Sequence, residues 1–226
     1  MLSLFEFVRD RWDTLLELSV EHVEVVVVSV GLAAVLGCGL ALLVHGRPRG
    51  RAVVLGVTSS VLTIPSFALF GLLIPVLGLG YPPTVTALTA YALLPVVRNG
   101  IAGLDGVEPA ALKAARAMGM TRLQRLLRVE LPVAWPVVLT GLRLSTVLTV
   151  SGAAIAAYVN GPGLGEPIFT GLNRIGGANS VNLVLSAVLA VVVVALLLDA
   201  LFVLLHRCTT PRGLRTGTRR AQVTAS

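Results

Sequence analysis

Five long apolar segments, separated by shorter polar ones, constrain this chain more than any other feature of its sequence. They cover approximately residues 22–44, 52–79, 84–104, 133–159 and 181–206. A transmembrane helix needs about 20 apolar residues, and inside lipid the backbone must satisfy its own hydrogen bonds. Only 13% of the residues are charged and 55% are hydrophobic, which fits such a protein. The sequence therefore predicts an all-α membrane protein with about five transmembrane helices.

The polar segments divide the chain into three parts. Residues 1–21 carry apolar side chains at helical spacing between acidic ones, which predicts an amphipathic helix on the membrane surface. Residues 22–206 form the predicted membrane domain, with one long polar loop at about 105–132. Residues 207–226 are basic, and we expect them to form a disordered tail on the cytoplasmic side.

The basic residues fall mostly on one side of the predicted membrane domain. Most of the 18 Lys and Arg residues lie after the first apolar segment, in the segment 98–128, or in the tail. Cytoplasmic loops carry such an excess, so five crossings place the N-terminus outside and the C-terminus inside. The net charge of +7 could also suggest nucleic-acid binding. Because the chain lacks the aromatic and basic platform that such binding uses, we expect no nucleic-acid partner.

Several kinds of chemistry are not indicated. Cys38 and Cys208 lie far apart without metal or redox spacing, so we expect no metal site. No catalytic residues and no cofactor are predicted. The N-terminus is acidic and lacks the basic region of a cleavable signal. A phosphate-binding loop of the form G-x-x-x-x-G-K-[ST] is also missing, so any ATP that drives this protein must bind another chain.

The second apolar segment is interrupted by proline. Pro65 lies between Thr63 and Ser66, and a proline frees a backbone carbonyl that lipid cannot satisfy. Such a break is tolerated only against protein or a water-filled cavity. We therefore take Thr63, Pro65 and Ser66 as candidates for a translocation pathway, together with Asn160, which begins an outer Gly-rich loop. The alternative is a kink that only shapes packing.

Two charged residues lie inside apolar segments. Arg143 is about ten residues into the fourth segment, and Asp199 is about seven residues before the cytoplasmic end of the fifth. Their depths match, and charges at such depth usually pair or face a cavity. We predict an Arg143–Asp199 ion pair. Separate snorkelling of each side chain toward the headgroups is the alternative.

The polar segment from Glu108 to Pro136 separates the third and fourth apolar segments. Glu108-Pro109 is a favourable helix start, Gly119 permits a sharp turn, and a second helical piece follows. In that piece we expect Leu123, Leu126 and Leu127 to face the membrane domain, and Leu131-Pro132 to fix the point of re-entry. The prediction is a rigid L-shaped unit at the cytoplasmic face. An ordinary basic interfacial helix is the alternative.

The spacing in this segment resembles the E-A-A-x3-G-x9-I-x-L-P motif of ABC-importer permeases. Ala114-Ala115, Gly119, Val129 and Leu131-Pro132 match it in register, while Lys113 stands where the motif has Glu. The resemblance implies a type I ABC importer (MetI-like) permease fold with a cytoplasmic coupling helix. It also implies that a separate ATPase subunit docks here. The implied coupling residues are Lys113, Ala114, Ala115, Gly119, Val129, Leu131 and Pro132.

A second resemblance concerns the loop after the fourth segment. Residues 161–172, GPGLGEPIFTGL, are similar to the G-x-G-G-L-G-x-x-I-F-x-G-L pattern of betaine, choline and carnitine permeases, although the segment is one residue shorter than the pattern and has Pro162 and Pro167 as departures. The resemblance implies a quaternary ammonium osmoprotectant as cargo and a location in the bacterial cytoplasmic membrane. It further implies a substrate-binding protein, periplasmic or lipid-anchored, a second permease chain, identical or not, and contact with membrane lipid.

A quaternary ammonium cargo is normally recognised by aromatic rings. Tyr81, Tyr91, Tyr158 and Phe169 do not suggest a cage by their positions in the sequence, so we expect selectivity to reside in the binding protein. Three other functions are kept open. The cargo could be an amino acid or another small solute, the chain could be a secondary carrier, or it could anchor an ATPase without transporting anything.

Overall fold

The computed structural model describes residues 3–209, and these residues form helices and connecting turns without a strand. The helices follow one another along the chain, with a π-helical turn before α8 and a 3-10 turn after it. Their bounds are α1 Leu4–Asp10, α2 Trp12–Leu43, α3 Pro48–Thr63, α4 Ser66–Leu77, α5 Tyr81–Asp105, α6 Pro109–Ala117, α7 Arg122–Arg125, the π turn Leu126–Glu130, α8 Leu131–Ile155, the 3-10 turn Ala156–Val159, α9 Gly165–Asn173 and α10 Ser180–Thr209.

The N-terminal region differs in detail from the expected surface helix over residues 1–21. Ser3 and Glu6 form a capping box that starts α1, and this short helix ends before Arg11. The first long helix then begins at Trp12, ten residues before the apolar segment that defines it in the sequence. The predicted tail begins inside α10, which continues to Thr209; the rest of the tail lies outside the described residues.

The second apolar segment forms two helices at a sharp angle. α3 ends at Thr63, α4 begins at Ser66, and their axes differ by 98°. Because Pro65 has no N–H and follows Ile64 in extended conformation, the helix cannot continue through this point. The freed carbonyl of Ile64 accepts a hydrogen bond from the Tyr91 hydroxyl of α5 at 2.9 Å. The break is therefore satisfied by protein, as an interruption inside a membrane requires.

Four helix termini meet at one end of the bundle, which we call the basic end. Arg51 of α3 donates to Asp105 at the end of α5, with Nη2 and Oδ1 2.8 Å apart. His45, just after α2, lies 2.9 Å from Glu130, just before α8. α2 and α5 thus finish at the basic end, whereas α3 and α8 start there.

The opposite ends of the same helices meet at what we call the far end. The N–H of Gly80, before α5, donates to the carbonyl of Val159, after α8, at 2.7 Å. The N–H of Gly163 donates to the Glu21 carboxylate of α2 at 3.2 Å. The bent pair α3–α4 therefore starts at the basic end and finishes at the far end, so it crosses the bundle as one broken span. With α2, α5, α8 and α10 it completes five crossings.

α5 lies at the centre of the bundle, between α2 and α8. The three helices approach closely at small residues. A Cβ atom on Gly103 would lie 2.8 Å from the carbonyl oxygen of Ala134, and one on Gly100 would lie 2.9 Å from the Cβ of Ala41. Small residues allow such packing in membranes, where tight contact rather than water exclusion drives helix association. α10 packs against α8 and α9 at the periphery and keeps most of its apolar surface exposed.

Candidate functional site

The turn between α6 and α7 is defined from both sides by its own hydrogen bonds. Gly119 adopts a φ of 75°, and the N–H groups of Gly119 and Met120 bond back to Arg116 and Ala115, which forms a Schellman C-cap. Thr121 then caps α7 in a box with Gln124. The segment is thus a rigid corner, and glycine is required because its φ lies in the left-handed region.

The residues implied by the coupling motif differ in exposure. Ala115 is buried against the rest of the segment, whereas Lys113, Ala114 and Pro132 are exposed. Val129 and Leu131 are half-buried. Lys113 makes no hydrogen bond or ion pair in the described part of the chain, so nothing in the structure explains its replacement of the motif's Glu.

The expectation that Leu123 and Leu127 face the membrane domain is wrong. Leu123 is 63% exposed and Leu127 is 54% exposed, while Leu126 is half-buried. Met118, at the corner, is also exposed. The π turn Leu126–Glu130 shifts the helical register before α8, so these two leucines face away from the bundle. An exposed apolar group of this kind on a basic surface is typical of an interaction site.

The chain passes through Leu131-Pro132, the expected point of re-entry, without a break in the helix. α7, the π turn and α8 form one continuous helix from Arg122 to Val159. Within the π turn the N–H of Leu131 bonds to the carbonyl of Leu126, five residues back. This wide turn accommodates Pro132, which has no N–H to offer a regular helix. The change of direction occurs earlier, at Gly119.

Glu130 links this segment to the bundle, a role that is not predicted from the sequence. Its carboxylate is buried and lies 3.0 Å from Nε of Arg125 and 2.9 Å from Nε2 of His45. The sequence feature that could have indicated this role is a glutamate at the boundary between a basic segment and an apolar one. In residues 3–209 no group of three or more His, Cys, Asp or Glu side chains could hold a metal ion.

The predicted pathway residues fall in two places. Thr63, Pro65 and Ser66 form the break in the second span, with Thr63 and Pro65 exposed on the surface of the single chain. Asn160 lies at the far end, in left-handed conformation next to Gly80. Tyr91, which satisfies the break, was not predicted for this role. An exposed break within a span can line a pathway only if another chain faces it.

Three aromatic rings meet near the far end. Phe67 of α4 contacts the Tyr158 ring edge-on at a centroid distance of 5.2 Å and lies 6.5 Å from the Phe169 ring. Phe67 and Tyr158 are each about half exposed. Tyr158 and Phe169 are candidates from the sequence, whereas Phe67 cannot be recognised there, because only the tertiary fold brings α4 to these two rings.

The structure brings Arg143 and Asp199 together. The guanidinium of Arg143 on α8 donates two hydrogen bonds to the Asp199 carboxylate on α10, one of them from Nη2 to Oδ2 at 2.7 Å. The bidentate geometry matches a planar guanidinium to a planar carboxylate. The pair joins the peripheral helix α10 to the central bundle at the level of the apolar segments.

Comparison with protein families gives one match that covers most of the chain. Residues 33–210 match the model of the family described as "Binding-protein-dependent transport system inner membrane component". Curated relatives match over nearly their whole length. The osmoprotectant import permease protein OsmW of Salmonella typhimurium is 37% identical over 95% of this chain and 100% of its own. The choline transport system permease protein OpuBB of Bacillus subtilis is 31% identical over 95% of this chain and 97% of its own.

Solved structures share the fold at lower sequence identity. A chain of the MetNI methionine ABC transporter, in an inward-facing conformation, superimposes with a TM-score of 0.75 and is 21% identical. It covers 93% of this chain and 100% of that chain. A chain of an amino acid ABC transporter superimposes with a TM-score of 0.68 at 16% identity, over 92% of this chain and 97% of that one. These likenesses show the fold.

Proposed function

This chain belongs to the family of binding-protein-dependent transport system inner membrane components, and we propose that its cargo is a quaternary ammonium osmoprotectant such as glycine betaine, choline or carnitine. It is a permease subunit with the MetI-like fold of ABC importers. The observation that supports this cargo is the set of relatives named for osmoprotectants, choline or carnitine, which align over nearly the whole chain at 31–37% identity.

The basic end is the proposed docking surface for an ATPase subunit. The corner presents α6 and α7 with exposed Met118 and Leu123 beside the exposed Lys113. Its rigid turn and its continuity with α8 allow a displacement of the docked subunit to move a membrane helix directly. We place this end in the cytoplasm, because the positive-inside rule assigns the arginine-rich loops there. The N-terminus is then outside and the C-terminus inside.

A second permease chain, identical or similar, completes the pathway in this proposal. Thr63, Pro65 and Ser66 lie at a break that is exposed in the single chain, and a facing copy would enclose it. A substrate-binding protein docks at the far end, where the Gly-rich loop is held by Glu21. Asn160 and the ring cluster lie on the route from that protein to the break.

The ring cluster fits the proposed cargo. A quaternary ammonium group is attracted to aromatic faces, and the contact contributes about 0.5–1 kcal/mol per exposed site. Phe67 and Tyr158 are exposed enough to offer their rings to a passing cation. In this proposal the rings near the far end add to the selectivity that we expect of the binding protein.

Uptake by the reconstituted importer tests this function. The chain would be reconstituted in liposomes with its ATPase and its binding protein, once these are identified by co-purification with the chain. We expect ATP-dependent uptake of radiolabelled choline, betaine or carnitine, with little uptake of methionine. Uptake of methionine in place of all three would support the amino-acid alternative. Uptake without ATP or ATPase would support a secondary carrier, and no uptake of any solute with a docked ATPase would support a membrane anchor.

The contribution of the rings is tested in the same liposomes. Phe67→Leu keeps the apolar volume and removes the ring, so the KM for the cargo should rise roughly threefold. Phe5→Leu changes a phenylalanine that is 76% exposed on α1, away from the cluster, and should leave the KM unchanged. An equal effect of both variants would remove the cluster from the proposed route and leave the cargo assignment intact.

A further inference from the structure

A cleft lined by arginines lies at the basic end, between the end of α2 and the corner segment. We call it the arginine cleft. It has a volume of about 400 Å³ and is lined by Leu42, His45, Arg116, Arg122, Arg125 and Glu130. Its walls come from two parts of the chain that are far apart in sequence, so the fold itself creates the concave surface.

The charges in the arginine cleft are not balanced within the described residues. Arg125 bonds to Glu130 through Nε, and the same carboxylate also faces His45. Arg116 and Arg122 make no hydrogen bond or ion pair anywhere in residues 3–209. Two guanidinium groups therefore face the cleft with their donors unused, and a phosphate is a ligand that matches their geometry and charge.

An apolar groove continues from the cleft toward the middle of the bundle. It has a volume of about 240 Å³ and is lined by Cys38, Ala41, Leu42, Leu104, Leu131 and Trp135, among others. Leu42 lines both cavities. Cys38 lies about 10 Å deeper than His45 at 1.5 Å per residue, which matches the first part of an acyl chain. Trp135 is 40% exposed and lies about one turn into α8, and tryptophan is enriched near the ends of membrane spans.

We propose that an anionic phospholipid binds at this place, with its phosphate in the arginine cleft and an acyl chain in the apolar groove. A basic pocket between helices at the membrane surface is the arrangement that binds anionic headgroups. A free anion would leave the groove unused, and an acidic protein surface would not enter a groove at acyl-chain depth. The site connects α2 to the corner, the same two elements that Glu130 joins, and it is separate from the exposed tip at Met118 and Leu123.

Fluorescence quenching by brominated lipids tests the site. The chain has two tryptophans, so a Trp12→Phe background leaves Trp135 as the single reporter in the groove. The purified full-length chain would be placed in phosphatidylcholine bilayers with increasing fractions of phosphatidylglycerol brominated on its acyl chains. Brominated phosphatidylcholine in the same series measures contact without charge preference. We expect half-quenching at a severalfold lower fraction of the anionic lipid.

Matched charge variants test whether the arginines of the cleft cause the preference for the anionic lipid. Arg116→Gln with Arg122→Gln should raise the half-quenching fraction of phosphatidylglycerol roughly tenfold, since each basic side chain near the surface attracts anionic lipid. Arg49→Gln with Arg128→Gln removes two exposed charges of the same end that do not line the cleft, and it should have no effect. Lysine at positions 116 and 122 should retain most of the preference. Each variant is first required to elute as a single species in size-exclusion chromatography.

Three outcomes would overturn the proposal. Equal quenching by the two brominated lipids would show an apolar groove without headgroup recognition. Displacement of brominated phosphatidylglycerol by millimolar inorganic phosphate would show a site for a free anion. An unchanged lipid preference in the Arg116 and Arg122 double variant, combined with weaker binding of the purified ATPase, would show that the arginines contact protein. None of these outcomes bears on the proposed cargo.

Discussion

Glu130 is the single residue on which the position of the corner segment depends most. It is 4% exposed, and its carboxylate is shared by Arg125 of the same segment and His45 at the end of α2. A buried carboxylate is costly to remove from water unless its oxygens are paired. The arrangement therefore stabilises one orientation of the corner relative to α2, and it does so without any contribution from the partner chains.

Replacement of Glu130 by Gln should weaken this link. Removal of one member of a buried ion pair leaves the other unpaired, and we expect a loss of about 3 kcal/mol because Arg125 and His45 keep some contact with water. Thermal unfolding of the purified chain measures the loss. Glu108→Gln, at an exposed position that forms no capping hydrogen bond, is the control and should leave the melting temperature unchanged. Equal melting of all three proteins would contradict the assignment.

Gly119 permits a second test at the level of a single residue. A Cβ at this position meets no atom within 4 Å, so the cost of substitution comes only from the φ of 75°. Gly119→Val should be unfavourable by about 1–2 kcal/mol, whereas Gly119→Asn should be nearly neutral, because asparagine tolerates the left-handed region. We expect the Val variant to lose cargo-stimulated ATPase activity in liposomes. Full stimulation in that variant would argue against a rigid corner.

At the level of helices, the apolar pattern predicts where the spans lie but not how they bend. All five apolar segments coincide with helices of the structure. The proline at position 65 predicts a break, but neither its angle of 98° nor the hydrogen bond that the Tyr91 hydroxyl of another helix donates to the freed carbonyl can be predicted from local sequence. Likewise, α2 begins at Trp12, ten residues before the apolar segment, because helical backbone hydrogen bonds do not require apolar side chains.

In the corner segment the bend can be predicted from the sequence, but the direction of the helix faces cannot. The glycine predicts a turn at 119, and the structure has one there. The faces of α7 could not be predicted, because the π turn shifts the register between α7 and α8. Periodicity reasoning assumes regular helices of 3.6 residues per turn, so one wide turn is enough to misplace Leu123 and Leu127.

The contact between α8 and α10 predicts a pattern of compensation. Arg143→Gln and Asp199→Asn should each lower the melting temperature, because each leaves a partner charge unpaired at apolar depth. The double variant should lose less stability than the sum of the two single losses. Exchange of the two charges should restore part of the lost stability. Strictly additive effects in this double-mutant cycle would show that the two side chains act independently.

At the level of the whole molecule, the two ends of the bundle differ in charge and in construction. The basic end holds the ion pairs of Arg51 with Asp105 and of Glu130 with its two partners. The far end is held by backbone donors of a Gly-rich loop and by the Glu21 carboxylate. A chain that crosses a membrane five times has its two termini on opposite sides. The side of the membrane on which either end of the bundle lies therefore determines the topology of the entire chain.

Labelling of single cysteines in intact cells tests that topology. In a background with Cys38 and Cys208 replaced by Ser, Leu79→Cys reports the far end and Glu108→Cys reports the basic end, both at exposed positions. A membrane-impermeant maleimide should label position 79 in intact cells and position 108 only after lysis. The reverse pattern would invert the orientation, and labelling of both positions in intact cells would contradict five crossings.

The π turn also has a consequence for the length of the docking segment. Each residue in a helix adds about 100° of rotation, so the number of residues between the corner and the membrane fixes the direction in which the corner points. The extra residue accommodated at Leu126–Glu130 belongs to this count. A chain one residue shorter here would form a regular helix and turn Arg125 away from Glu130. The interval of nine residues between Gly119 and Val129 therefore specifies an angle as well as a distance.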